Sequence, residues 1–189
     1  RSCSESSWVN GVPGPRLRER LRHDPDQGVW YDGARRYLLL RPDSLMGALR
    51  SLDAATRASV LDALANSLQR HGGDSLRAYA ARVNGDPQAL IAATIDAACD
   101  LGWGQWTVQR DGDALNVTVQ QSPFAAGWLA AGGGAPDAPA PAVCAPIRGM
   151  LAALAQTLGN AAPQVHETRC AAQGHGECRF RVLFKGCAA

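Results

Sequence analysis

The segment Trp103–Gln120, WGQWTVQRDGDALNVTVQ, decides the fold of this chain. Apolar and polar residues alternate through WGQWTVQ and again through ALNVTVQ, the period of strands with one covered face. Asp111-Gly112 between the two runs is the residue pair a tight hairpin turn requires. Trp106, Val108, Leu115, Val117 and Val119 are the candidates for the covered face. Something else in the chain has to cover them.

Helices precede this hairpin. Pro87, a favoured first-turn residue, opens one that runs to Leu101, and a helix from Asp74 to about Val83 stops at Asn84-Gly85. Before that, Asp53 caps a helix with apolar positions Val60, Leu61, Leu64 and Leu68, which the His71-Gly72-Gly73 run is expected to end. Asp43 and Ser44 supply capping chemistry for a shorter helix through Leu49. Farther upstream, VWYDGARRYLLL from Val29 to Leu40 reads as a hairpin turning at Asp32-Gly33.

Downstream, GGGAPDAPAPA (132–142) is a loop by composition. VCAPIRGMLAALAQTL then reads as a helix reaching Leu158. Proline is tolerated only in a first helical turn, so Pro146 places the start near Ala145 and Cys144 about at the N-cap. Two last strands, Gln164–Arg169 and Cys178–Phe184, are joined by the turn AAQGHGE. Hairpin, helices, hairpin, helix, hairpin is the order of an α+β fold, a mostly antiparallel sheet with helices on one side. Residues 29–187 are expected to form one domain. Residues 1–28, rich in Ser, Gly, Pro and charge, are expected to be flexible or loosely docked, with one helical turn around Leu17–Leu21.

Composition narrows the function. With 189 residues, 46% hydrophobic, the chain can bury a full core without disulfide staples, and Cys99 reads as a small buried hydrophobe. The net charge of +2 gives little support for nucleic-acid binding. No apolar run approaches the roughly 20 residues that span a bilayer, and no secretory signal pattern is present. A cytoplasmic protein with neither a nucleic-acid nor a membrane partner is expected. No phosphate-cradling glycine motif, no GxSxG and no HExxH occurs, so no catalytic residue is assigned.

Chemistry gathers near the C-terminus. Cys144 at a helix mouth and the segment HETRCAAQGHGEC, holding Glu167, Cys170 and Cys178, supply the thiolates and carboxylate of a tetrahedral zinc site. A helix N-terminus favours the thiolate form of Cys144. Four protein ligands close the shell, which marks a structural rather than a catalytic metal. On a regular strand, however, His166 and not Glu167 shares a face with Cys170. Glu167 serves only if the strand ends or bulges between them, so periodicity leaves both open.

SPFAAGW (122–128), AVCAPIRGMLAAL from Ala142 and HETRCAAQGHGECRFRV (166–182) resemble the 4-vinyl-reductase domain family. This is a hydrocarbon-binding module of bacteriochlorophyll-synthesis proteins and of XylR-, DmpR- and PoxR-type sensors of aromatic compounds. The upstream RRYLLLRPDSLMGAL is a looser likeness. The resemblance implies a TRAPP-like fold, a twisted antiparallel sheet packed by helices, often dimeric, with a ligand pocket between the two layers. It implies one structural zinc held by Cys144, Glu167, Cys170 and Cys178. Phenol sensors of the family carry a Trp where this chain has Val119, so a phenol-type effector does not follow. Trp103, Trp106, Val117, Val119, Phe124 and Trp128 are expected to line an apolar pocket for a hydrophobic or aromatic molecule. A regulatory sensor or carrier acting as a homodimer is thus expected. An accessory or reductase-like protein of tetrapyrrole metabolism and a ligand-free interaction scaffold stand as alternatives.

Overall fold

The structure is a computed structural model that describes residues 15–132 and 140–184. Its elements in chain order are α1 (Leu17–Arg20), β1 (Arg22–Asp24), β2 (Val29–Asp32), β3 (Arg35–Tyr37), α2 (Pro42–Arg50), α3 (Ala54–Arg82) and α4 (Pro87–Asp100). There follow β4 (Gln105–Asp111), β5 (Ala114–Gln120), α5 (Pro123–Gly132), α6 (Ala145–Thr157), β6 (Gln164–Arg169), a 3-10 turn (Ala171–Gln173) and β7 (Cys178–Leu183).

The Trp103–Gln120 hairpin forms as its sequence requires. β4 and β5 pair antiparallel from Gln105↔Gln120 to Asp111↔Ala114, and Gly112 takes the turn at φ +56°. β7 pairs with β5, and β6 closes the sheet on the other side of β7, giving an antiparallel order β4-β5-β7-β6. One face alternates buried residues, Trp106 and Val108 on β4, Leu115, Val117 and Val119 on β5, Cys178, Phe180 and Val182 on β7. The opposite face carries Thr107, Gln109, Thr118, Arg179 and Arg181. The fold is α+β, with helices packed on the apolar face of an antiparallel sheet.

α6 is the apolar layer between that face and α3, touching β6, β7 and α3. Ile147, Leu151 and Ala155 are at most 1% exposed, and Gly149 lets the two helix backbones approach, since a Cβ there would lie 2.2 Å from the Ala65 carbonyl oxygen. The long helix does not stop at His71-Gly72-Gly73. α3 runs unbroken to Arg82, because Gly72 packs beside Met150 of α6 and Gly73 is buried. A glycine pair that would end an isolated helix is here a site of close packing, so the separate helix expected from Asp74 is the second half of α3. Asp53 and Asp86 cap α3 and α4 as expected, each accepting two backbone N–H bonds.

No sequence signal announces α5, since PFAAGWLAAG offers little amphipathic period. Its helix is organised by contact with α2, where Gly127 lies against the Pro42 backbone and Gly47 against Ala131. α2 itself begins at Pro42 rather than being capped at Asp43.

Regular structure starts at Leu17, ahead of the Val29 where the sequence suggests it begins. Leu17 is buried, Arg16 pairs with Asp100 at 2.9 Å and Arg20 with Asp32 at 2.9 Å, and β1 adds a third strand to the β2–β3 hairpin. Residues 1–14 of the expected flexible lead lie outside the described residues, as does most of the expected 132–142 loop. The hairpin is shorter than Val29–Leu40: Leu38, Leu39 and Leu40 leave the sheet and are exposed. Cys99, expected as a small buried hydrophobe, is half-buried and disulfide-bonded. Among the described residues no helix is long and apolar enough to cross a membrane.

Candidate metal centre

Three chain segments meet at one end of the sheet. Cys144 is the N-cap of α6, Glu167 lies on β6, Cys170 follows β6, and Cys178 opens β7. One potential ligand atom from each lies within 4.8 Å of every other. The Cys144 Sγ is 3.5 Å from Cys178 Sγ and 4.0 Å from Cys170 Sγ, and all three thiols are fully buried and free of disulfides.

A bulge in β6 meets the condition that periodicity set for Glu167. Glu167 pairs with Phe180, but Arg169 pairs with Arg179, so Thr168 is an extra residue in the strand. One inserted residue shifts the alternation by one, and Glu167 and Cys170 come to the same face. His166 stays on the outer face, exposed and opposite Arg181. Glu167 Oε2 accepts the Cys144 backbone N–H at 3.2 Å, tying β6 to the start of α6. Its Oε1 is buried with no hydrogen-bond partner among the described residues.

The electrostatics of the cluster are those of a cation site. Burial, then the charge of Cys170, pushes the Glu167 carboxyl up to about 8. Cys178 is lowered to about 4, chiefly by hydrogen bonds from Cys144 and then Cys170, with the Ala171 N–H 3.3 Å from its sulfur adding to the effect. Cys144 is raised, because its proton is shared with Cys170 and Cys178. A buried carboxylate beside thiolates is unfavourable unless a cation joins them. Three soft sulfur donors and one oxygen are a donor set for a metal ion, and sulfur separations of 3.5 and 4.0 Å bracket the ~3.8 Å edge of a tetrahedron built on ~2.3 Å metal–sulfur bonds.

Beside the thiols stand residues the sequence did not single out. Ser122 Oγ sits 3.2 Å from Cys144 Sγ and within reach of the Ala125 N–H, linking the cluster to the start of α5. A polar cleft of about 390 Å³ between α3, α6 and β6, lined by Arg57, Asp62, Arg148, His166 and Glu167, gives the cluster its route to solvent.

The six residues expected to line a ligand pocket lie in one apolar cluster. Trp106, Val117, Val119, Phe124 and Trp128 are buried in it, and Trp103 packs against it, edge-on to Phe124 at 5.3 Å. Trp128 is also flanked by two guanidiniums, Arg50 at 5.1 Å and Arg57 at 5.3 Å from its ring, which fix α5 to α2 and α3. An apolar cavity of about 250 Å³ lies elsewhere on the inner face, lined by Ile91, Val108, Leu115, Leu158 and Phe184, with Arg110 at its wall. Val108 and Leu115 belong to the predicted covered face, but none of the six expected pocket residues lines this cavity.

Residues 115–184, which hold all four cluster residues, match the model of the 4-vinyl-reductase domain family. In fold, the chain is similar to the crystal structure of the phenol-responsive sensory domain of the transcription activator PoxR with phenol. The two superpose with a TM-score of 0.71 at 18% identity, over 87% of this chain and 84% of that one. No curated protein matches the chain in sequence. The matched segment carries the last helix of the core, three of the four sheet strands and the whole cluster, while the helices ahead of it complete the shared fold: residues 115–184 belong to the 4-vinyl-reductase domain family.

Proposed function

We propose that the chain is a small-molecule sensor domain whose frame is held by one structural zinc ion. The observation that carries the zinc assignment is the donor set, three buried free thiols and a carboxylate with an orphaned oxygen, all converging within 4.8 Å. Zinc suits that mixed sulfur and oxygen set, and four protein ligands leave no open position for chemistry. Cys144, Glu167, Cys170 and Cys178 would hold it, and its chemistry here is charge neutralisation and cross-linking. The protein's own part is to bring α6, β6 and β7 to a single point. The sensor reading is supported by the family match and by the fold shared with a phenol-responsive sensory domain.

The ligand is a hydrophobic or aromatic molecule held between sheet and helices, and binding becomes a signal by favouring one arrangement of the helices over another. A homodimer and a cytoplasmic setting belong to the same reading. A second reading, a ligand-free interaction scaffold, is favoured by one observation: Trp106, Val117, Val119, Phe124 and Trp128 pack on one another as buried core residues.

Metal analysis of the purified chain is expected to return about one zinc per chain, and thermal-shift screening to find aromatic or aliphatic molecules that raise the melting temperature. Absence of metal together with full stability in chelator would overturn the zinc assignment. Silence across the whole screen would leave the scaffold reading in its place.

A further inference from the structure

We propose that the cavity at the sheet end opposite the metal cluster binds a small hydrophobic carboxylate, with Arg110 as its anchor. This deepens the sensor reading, on which it rests only in that both place an apolar small molecule in the domain.

The argument starts from strand parity. Trp106, Val108 and Arg110 occupy alternate positions of β4 and so share its inner face. The first two are 5% and 4% exposed, and the third is a cation paired in register with buried Leu115. A charged residue at the third apolar position is a departure that packing alone does not ask for. It stands at the wall of the 250 Å³ cavity, whose other walls are the side chains of Ile91, Leu115, Leu158 and Phe184.

The guanidinium is underused. Its Nε donates to the Gly112 carbonyl at 3.3 Å, and among the described residues it forms no ion pair. Asp113 is the one acid lining the same cavity, yet it does not pair with Arg110. The outer-face acid of the hairpin, Asp111, is already engaged by Arg181 at 3.6 Å and by Asn116 at 3.3 Å. A planar fork with free N–H groups beside an apolar hollow matches a ligand with an apolar body and a terminal carboxylate. A hollow of this size takes a single ring with a short chain. An amine-ended ligand would have to sit beside Arg110, which opposes it.

The test is calorimetric titration of the metal-loaded full chain with 3-phenylpropionate, its primary amide and 3-phenylpropylamine. The acid is expected to bind roughly tenfold more tightly than the amide, the advantage of a charge-assisted bond at a partly exposed site. The amine is expected to bind more weakly than the amide. Arg110→Gln should bring the acid down to the amide's affinity and leave the amide unchanged. Ile91→Trp, which fills the cavity, should weaken both. Equal binding of acid and amide to the unmodified chain overturns the anchor while leaving the sensor reading standing. An acid preference that survives Arg110→Gln, or binding indifferent to Ile91→Trp, overturns the assignment to this cavity. If none of the three binds, the carboxylate proposal fails; the sensor reading fails only if the broad thermal-shift screen is silent too.

Discussion

The two ends of the four-stranded sheet solve opposite problems with the same strands. At one end β7 begins at Cys178 opposite Val119, and four polar groups are driven together into the interior. At the other end β7 finishes at Leu183 opposite Ala114, and apolar walls surround a hollow that no side chain fills. Five residues of strand, roughly 17 Å, separate them. The metal end is over-determined, since each group there is costly unless all are present. The hollow end is under-filled, and the core tolerates it because helices anchored elsewhere hold it open. Stability is therefore expected to reside at the first end and selectivity at the second.

The largest expected effect tests that division directly. Cys170→Ser should abolish metal binding and lower stability by about 4 kcal/mol, a fall in melting temperature of roughly 10 °C for a domain of this size. Chelator should reproduce the drop in the unmodified chain and add nothing to the variant, as read by metal content and calorimetry. A variant as stable as the parent would remove the reason for calling this end the frame.

Gly149→Ala comes next and probes the helix that joins the ends. An added Cβ 2.2 Å from the Ala65 carbonyl forces α6 away from α3. The cost is expected at about 1–3 kcal/mol in denaturant melts, the usual range for overpacking a close contact. Metal content should stay at one equivalent, because Cys144 leads α6 from its far end. Loss of metal in this variant would show that the two ends are not separable.

The third effect concerns the sign of a titration. In metal-free protein the folded-state pKa of Glu167, about 8, stands above its usual 4.5. Below 4.5 the group is protonated in both folded and unfolded states and costs nothing. As pH rises from 4.5 toward 8 only the unfolded state gives up the proton freely, so the chelated protein should lose stability across that window. Bound metal should reverse the trend, since it needs the carboxylate charged. Glu167→Gln should flatten the chelated profile, whereas His166→Ala, on the exposed face, should change neither the profile nor the metal content. Metal lost on His166→Ala would return the fourth ligand to the residue that simple alternation favoured.

How far the sequence carries this comparison depends on the range of the forces involved. Local chemistry is legible: Asp53 and Asp86 cap α3 and α4, Asp111-Gly112 turns the hairpin, and Pro146 fixes the start of α6 so that Cys144 becomes its N-cap. Non-local packing is not. Gly72-Gly73 carries the signal of a stop, yet Met150 of a helix more than seventy residues away makes it a contact. α5 forms because Gly127 meets Pro42, a partner no local pattern reveals. Between these cases lies Glu167. The ligand set is readable only through family resemblance, because the extra residue at Thr168 reverses strand parity without leaving a composition signal. The cavity escapes a sequence reading for a related reason: alternation marks Val108 and Leu115 as covered, but whether side chains or empty space cover them is decided by helices far along the chain.

The smallest expected effect falls at the hollow end. Arg110→Gln removes an exposed cation whose hydrogen bond reaches only the adjacent turn, so stability should change by less than about 0.5 kcal/mol. The same substitution placed at the metal end would strip a group on which three others depend. If Arg110→Gln instead destabilised the fold as Cys170→Ser is expected to, the guanidinium would be a structural strut, and both ends of the sheet would belong to the frame. A melting temperature unchanged by Arg110→Gln, alongside an altered response to carboxylates, is what separates a site kept for a ligand from one kept for folding.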